Sequence, residues 1–368
     1  MTWQAFHWWL IVEAIGLIAL PIALMAFRRL PGAGYAFAKP LGILLGAYLF
    51  WLALSLHILP NRPGSIVWVF LLIVAVDALL VRGRWPELFQ ALRERLSLII
   101  AVEVLFTLSF AVAVYLRSYV PEIGGTEKPM DFMLLNAASR SRFYPPDDAW
   151  LSGFGVSYYY LGFVIQAMLA KLAVVPTSVA FNLGLAGTAA LASTAAFGLG
   201  YELARIGAAN QRAALLAGAT GAVLVVLLGN LEGAVEFAIA NGVAPSGFVR
   251  WLDIANLDQA KESTACLISG LGRCLEYPNE QSSFWWWWRA TRISPEGNSI
   301  TEFPFFSFLL GDLHPHVMAV PYVLTLVGLG LALWRSEARL DGNFWLSRPS
   351  APARASRSRT QRLAGPRH

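Results

Sequence analysis

Eight apolar stretches, at about 8 to 27, 40 to 59, 65 to 81, 96 to 116, 157 to 175, 178 to 201, 213 to 231 and 317 to 334, dominate the chain. Each approaches the roughly 20 residues that an α-helix needs to cross the hydrocarbon of a bilayer. Only 14% of the 368 residues are charged and 57% are hydrophobic, with a mean hydropathy of +0.54, outside the range of soluble domains. The expectation is an all-α, polytopic transmembrane helical protein with eight spans in an integral plasma membrane. The first stretch shows no short apolar region ending in a small-residue cleavage site, so it is expected to stay as an anchor.

Charge orients these spans. Arg28, Arg29 and Lys39 follow the first, and Arg82, Arg84, Arg93 and Arg95 lie between the third and fourth. The positive-inside rule makes both segments cytoplasmic and turns the N-terminus outward. The net charge of +5 is local, because Arg348, Arg354, Arg357, Arg359, Arg362 and Arg367 crowd the end of the chain with no acid among them. A basic, Ser/Pro/Ala-rich tail behind a last span reads as a disordered cytoplasmic end rather than a nucleic-acid binder. Three regions follow: an N-terminal membrane region over 1–95, a membrane core with two external loops over 96–334, and the basic tail over 335–368.

The two long loops, at about 117–156 and 241–304, create a conflict. The arginines after the last span put the second loop outside with the first, yet three spans between them would place the loops on opposite faces. Either one segment among 157–175, 178–201 and 213–231 does not cross, or LEGAVEFAIA at 231–240 completes a re-entrant pair. A break of that kind is tolerated only where protein or water covers the freed backbone. Cys266 and Cys274, the two cysteines, share the second loop; a disulfide and two unpaired thiols both fit. The run FWWWWRATR at 284–292 suits the headgroup zone, with a sugar-stacking surface as the sharper alternative.

Polar residues in so apolar a chain are expensive and therefore informative. The stretch EFPFFSFLLGDLHPHVMAVPYVLTLVGLGLALW at 302–334 carries Asp312, His314 and His316. Pro315 pushes His314 into an extended conformation and suits the first turn of the span behind it. In an extended segment all three side chains reach one side, a plausible divalent-metal set with Mn²⁺ or Mg²⁺ favoured and Zn²⁺ feasible. The plainer alternative is that Asp312 and His314 cap a helix end. The first loop adds Glu127 and Asp131 in GTEKPMDF, and Asp147 and Asp148 in PPDDAW, as oxygen ligands or a general base. Tyr158, Tyr159 and Tyr160 in SYYYLGF form either an aromatic belt or hydroxyl donors to a substrate phosphate. Glu302 is a further acid, and Arg289 and Arg292 could face a phosphate leaving group. Glu13, Asp77 and Glu103 lie in or near spans, as an ion or proton pathway requires, but they are scattered along the sequence. Walker A, GxSxG, HExxH and dinucleotide fingerprints are all lacking.

The phrases EKPMDF, PPDDAW, YYYLG, FWWWWRATR and EFPFFSFLLGDLHPHVMAVPY, in that order, resemble the Chlor_Arch_YYY family of polytopic membrane proteins, whose domain is of unknown function. Through its layout of a span, a long external loop with acids and further spans, the chain is distantly similar to membrane glycosyltransferases of the GT-C class. That resemblance implies a GT-C-like core that moves a sugar from a polyprenyl-phosphate donor at the outer membrane face. The acids of the first loop, here Glu127, Asp131 and Asp148, would act as base and metal ligands. Asp312, His314 and His316 have no counterpart across the wider class, and their metal role rests on spacing alone. The chain also ends one span after the GDLHPH motif, which leaves open a truncated product. A transporter or flippase of lipid-linked or small polar substrates is the rival expectation.

Overall fold

In the computed structural model the described residues are 2–229, 231–254, 257–263, 272–276 and 302–336. Long apolar helices account for most of them: α1 (Thr2–Ala26), α2 (Ala38–Ser55), α3 (Pro63–Leu80), the short amphipathic α4 (Trp85–Arg93), and α5 (Leu96–Tyr119). A loop helix α6 (Lys128–Arg140) precedes α7 (Leu161–Ala173) and the 30-residue α8 (Thr177–Ile206). Behind them come α9 (Gln211–Ala222), continued as a π-helical turn over Val223–Leu227, then α10 (Leu231–Ala240) and α11 (Ser246–Leu252). α12 (Pro304–Leu310) and α13 (Pro315–Trp334) close the described chain. One two-stranded antiparallel ribbon, β1 (Lys261–Ser263) with β2 (Cys274–Glu276), is present among the described residues. The chain is an all-α polytopic membrane protein.

α8 is the central post, with 89% of its most apolar window buried. Its small residues explain why. A Cβ at Gly200 would come within 2.6 Å of the Ala217 carbonyl oxygen, and one at Gly221 of α9 within 2.9 Å of that of Ala196. Backbones that approach this closely gain dispersion contacts and exclude lipid, which is how helices associate where no water drives them together. Around α8 stand α5, α9, α13 and α7, and the outer faces of α3 and α5 turn residues such as Trp68, Leu72, Leu79, Leu108 and Val112 outward. In a bilayer such side chains meet acyl chains.

Among the described residues six helices are long and apolar enough to cross, and the pair Gln211–Leu227 with Leu231–Ala240, bent by 71°, allows a seventh. The expected count of eight is therefore corrected, and the segment 157–175 is where it fails. Its helix, α7, has 13 residues, about 20 Å of rise and short of the hydrocarbon thickness. Both ends of α7 stay on one face. Trp51 Nε1 donates to Tyr160 Oη (3.1 Å) just before α7, while at its far end Lys171 Nζ donates to the carbonyls of Ser139 (2.8 Å) and Asn61 (3.2 Å). Thr177 Oγ1, opening α8, then donates to Asn136 Oδ1 (2.9 Å) on the same face.

The opposite face is tied just as specifically. Arg95 Nε donates to the Pro31 carbonyl (2.8 Å), Gln211 Nε2 to Ser97 Oγ (2.9 Å), and Arg335 Nε to the Arg29 carbonyl (3.3 Å). Glu202 of α8 accepts the Gly32 N–H on both carboxylate oxygens, at 3.1 and 3.0 Å. With α7 counted as non-crossing, the loop around residue 130 and the turn before α13 fall on one face and the arginines on the other. The conflict found in the sequence is resolved by that one helix. The basic tail from residue 337 onward lies outside the described residues.

Candidate functional site

Four elements meet on the face opposite the arginines. α6 begins at Glu127 and Lys128, with Pro129 in the first turn, where its missing N–H costs nothing. Asp131 sits in that same turn, fully buried. The second element is the turn between α12 and α13. Gly311 (φ +83°) ends α12 in the left-handed region, and the N–H groups of Gly311 and Asp312 both return to the Ser307 carbonyl (3.1 and 3.0 Å). A glycine is needed here twice over, for the positive φ and because a Cβ would collide with the Arg117 guanidinium. His314 is then extended (φ −76°, ψ 151°) and Pro315 opens α13, as the sequence predicts. The third element is the segment before α7, and the fourth is the end of α5.

His314 is the hub. Its Nε2 lies 3.2 Å from Glu127 Oε2 and 3.2 Å from Tyr158 Oη, while its Nδ1 lies 2.6 Å from Nδ1 of His316. A consistent proton assignment has His314 Nε2–H donating to Glu127 and His314 Nδ1 accepting from His316. Burial lowers the His314 pKa against the opposing pull of Glu127, which keeps that imidazole neutral near pH 7.

Beside it, Asp131 and Asp312 meet carboxyl to carboxyl. Among the described residues no donor other than the partner carboxyl reaches either oxygen of Asp131 or Oδ1 of Asp312. Burial first, then the charges of Asp312 and Glu127 and the contact with Asp312, push the Asp131 carboxyl up to about 8. Asp312 is also raised, by burial above all, with His316 pulling the other way. Two buried carboxyl groups in contact do not both ionise, so the pair carries a shared proton at neutral pH. Lys128 and Arg117, each 6% exposed, stand nearby. Arg117 Nε and Nη2 both donate to Asn182 Oδ1 (3.0 and 2.7 Å), which fixes the guanidinium against α8.

The other predicted residues divide. Of the tyrosines, Tyr158 alone reaches the hub; Tyr159 stacks on it with ring centroids 4.1 Å apart, and Tyr160 bonds Trp51. Asp148 is spent on its own turn, accepting from the N–H groups of Trp150 (2.8 Å) and Leu151 (2.9 Å). Asp147 pairs with Gly155 in an isolated bridge. Glu302 accepts from Ser307 Oγ at 3.4 Å and is close enough to act on His316. Arg289, Arg292, the tryptophan run and Cys266 lie outside the described residues, and Cys274 is disulfide-bonded.

The residues expected as a metal set lie close together, with His316 near enough to act on Asp312. Asp312 faces Asp131 and His314 faces His316, because the extended path ends at His314 and Pro315 starts a helix that carries His316 round. Among the described residues no group of three or more His, Cys, Asp or Glu side chains is arranged to hold an ion. Arg117, Lys128 and Asn182 join the site beyond the residues the sequence points to; the available signal is an amide in the small, apolar N-terminal half of α8.

Fold and site together define a polytopic membrane protein with a polar, acid–base cluster at one membrane face. A family model described as "Uncharacterized membrane protein (DUF2298)" matches residues 45–352, and the chain belongs to that family. No match to a curated protein or to a solved structure was found.

Proposed function

We propose that the cluster is the active site of a membrane glycosyltransferase that moves a sugar from a polyprenyl-phosphate donor to an acceptor hydroxyl at the outer membrane face. The observation that carries this reading is the pairing of an exposed carboxylate on a neutral imidazole (Glu127 on His314) with a buried carboxyl pair that keeps a proton (Asp131 with Asp312). A carboxylate beside an imidazole and, next to them, a carboxyl pair that keeps a proton offer the base and the acid that group transfer requires. In the proposed step the acceptor hydroxyl loses its proton to Glu127, with His314 and Tyr158 orienting it, as its oxygen bonds the anomeric carbon. The bond from that carbon to the lipid-phosphate oxygen breaks, and the departing phosphate takes up the proton held by Asp131 and Asp312. This revises the role expected for Asp131, which as a protonated acid serves the leaving group better than the acceptor.

Two features support an outer-face location in the plasma membrane. The cluster lies on the face opposite Arg28, Arg29, Arg82, Arg84 and Arg335, and Cys274 is disulfide-bonded, which suits an oxidising compartment. The test is product formation by purified protein in detergent from a polyprenyl-phosphate sugar, compared with Glu127→Gln, Asp131→Asn and Asp312→Asn. Undiminished product from all three would end the reading. The rival, a transporter or flippase, is favoured by a second charged cluster inside the membrane, and it would show as gradient-dependent substrate movement with no turnover in detergent.

A further inference from the structure

Glu13, Lys39 and Glu103, distant in sequence and on three different helices, meet inside the membrane region. Lys39 Nζ donates to both oxygens of Glu103 (2.7 and 2.6 Å) and lies 3.1 Å from Glu13 Oε2. Tyr35 Oη donates to Glu103 Oε1 at 2.8 Å. The lysine stem passes over Gly16, where a Cβ would strike its Cγ, and the ammonium lies 4.7 Å from the centroid of the Phe106 ring. A small cavity with room for about one water adjoins the group, lined also by Leu17, Leu20 and Ala38.

The donors are shared unequally. Glu103 receives three hydrogen bonds from Lys39 and Tyr35, whereas Glu13 has a single ion-pair contact and its buried Oε1 accepts from nothing among the described residues. The two carboxyl groups are within hydrogen-bond reach of each other. Two carboxylates and one ammonium would leave an uncompensated negative charge where charge is expensive. Among the described residues no other cation acts on Glu13: Lys171 of α7 is bound to the Asn61 and Ser139 carbonyls, and Arg95 to those of Pro31 and Ala91. Of the other acids on neighbouring helices, Asp77 of α3 lies beside Ile22, well along α1 from Glu13, and Glu202 of α8 is held by Gly32. A metal ion would need several oxygen ligands where an ammonium already sits.

We infer that Glu13 is a proton-binding residue inside the membrane, held as a carboxylic acid against the Lys39–Glu103 ion pair, and that the chain exchanges this proton with water through the adjoining cavity. The inference is independent of the glycosyl-transfer reading. Infrared spectra of the full chain in lipid nanodiscs, taken as variant-minus-parent differences, cancel the signal of Asp131 and Asp312. Glu13→Gln is expected to remove one carboxylic-acid carbonyl band that shifts on H₂O/D₂O exchange. Glu103→Gln is expected to remove one as well, because Glu13 then ionises against Lys39, and Lys39→Met to add one. A Glu13→Gln spectrum with no lost band overturns the proposal. Should that variant not fold, Lys39→Met decides: one added acid supports the assignment, and none refutes it.

Discussion

Glu127 Oε2 and His314 Nε2 lie 3.2 Å apart, joining the first turn of α6 to the residue that caps α13. The contact is polar and partly open, since the Glu127 side chain is 61% exposed while that of His314 is 13% exposed. An acid so placed adds little to stability, and under the proposed reading it is the general base. Glu127→Gln is expected to cut product formation by about 10²- to 10⁴-fold, the range of a lost general base, with the unfolding midpoint nearly unchanged. Rate and midpoint measured on one preparation test both halves of this expectation.

The Asp131–Asp312 pair makes stability depend on pH with a definite sign. The folded Asp131 carboxyl titrates at about 8, far above its ordinary value of 3.8, so the folded state binds this proton more tightly than the unfolded state does. The stabilisation from that proton is complete below about pH 4, declines as pH rises, and is gone above about pH 8. Thermal midpoints in detergent should fall between pH 5 and pH 8 in the parent and stay flatter in Asp131→Asn. A parent curve as flat as the variant's would contradict the shared proton.

Arg117 depends on Asn182 for two of its hydrogen bonds, and both residues are buried. Asn182→Leu leaves a guanidinium short of an acceptor, at a cost of about 2 to 5 kcal/mol. Arg117→Leu in the same background should recover part of that loss, because the unpaired charge is gone. Denaturant titrations of the two single variants and the double variant measure it.

Gly311→Ala combines a strained positive φ with a collision against Arg117. A loss of about 1 to 3 kcal/mol is expected, together with lower activity, since Asp312 and His314 follow directly in the same turn. Full activity in this variant would show that the turn does not position them.

With α7 too short to cross, Ala149 before it and Ser178 after it are expected to share a face. Cysteines introduced at the two positions should react with a membrane-impermeant thiol reagent from the same side of sealed vesicles, and a cysteine at Ala208 from the other. Labelling of Ala149→Cys and Ser178→Cys from opposite sides would restore the eight-span arrangement.

The sequence by itself determined the class of fold, the anchoring helices, and the geometry at His314. Apolar length, arginine placement and proline stereochemistry act locally, so each could be read without knowing what lies beside it. It also singled out Asp312, His314 and the acids at Glu127 and Asp131 as polar groups in an apolar chain, and the fold brings these segments together. Only the tertiary structure decided that α7 turns back on one face, since its 13 residues are as apolar as a true span and its end is set by Lys171 bonding to distant carbonyls. Only the tertiary structure set Asp131 against Asp312 and His316 against His314, and brought Glu13 and Glu103 together on Lys39. Spacing along a chain limits what one segment can present; which partner receives it depends on the helices that pack alongside.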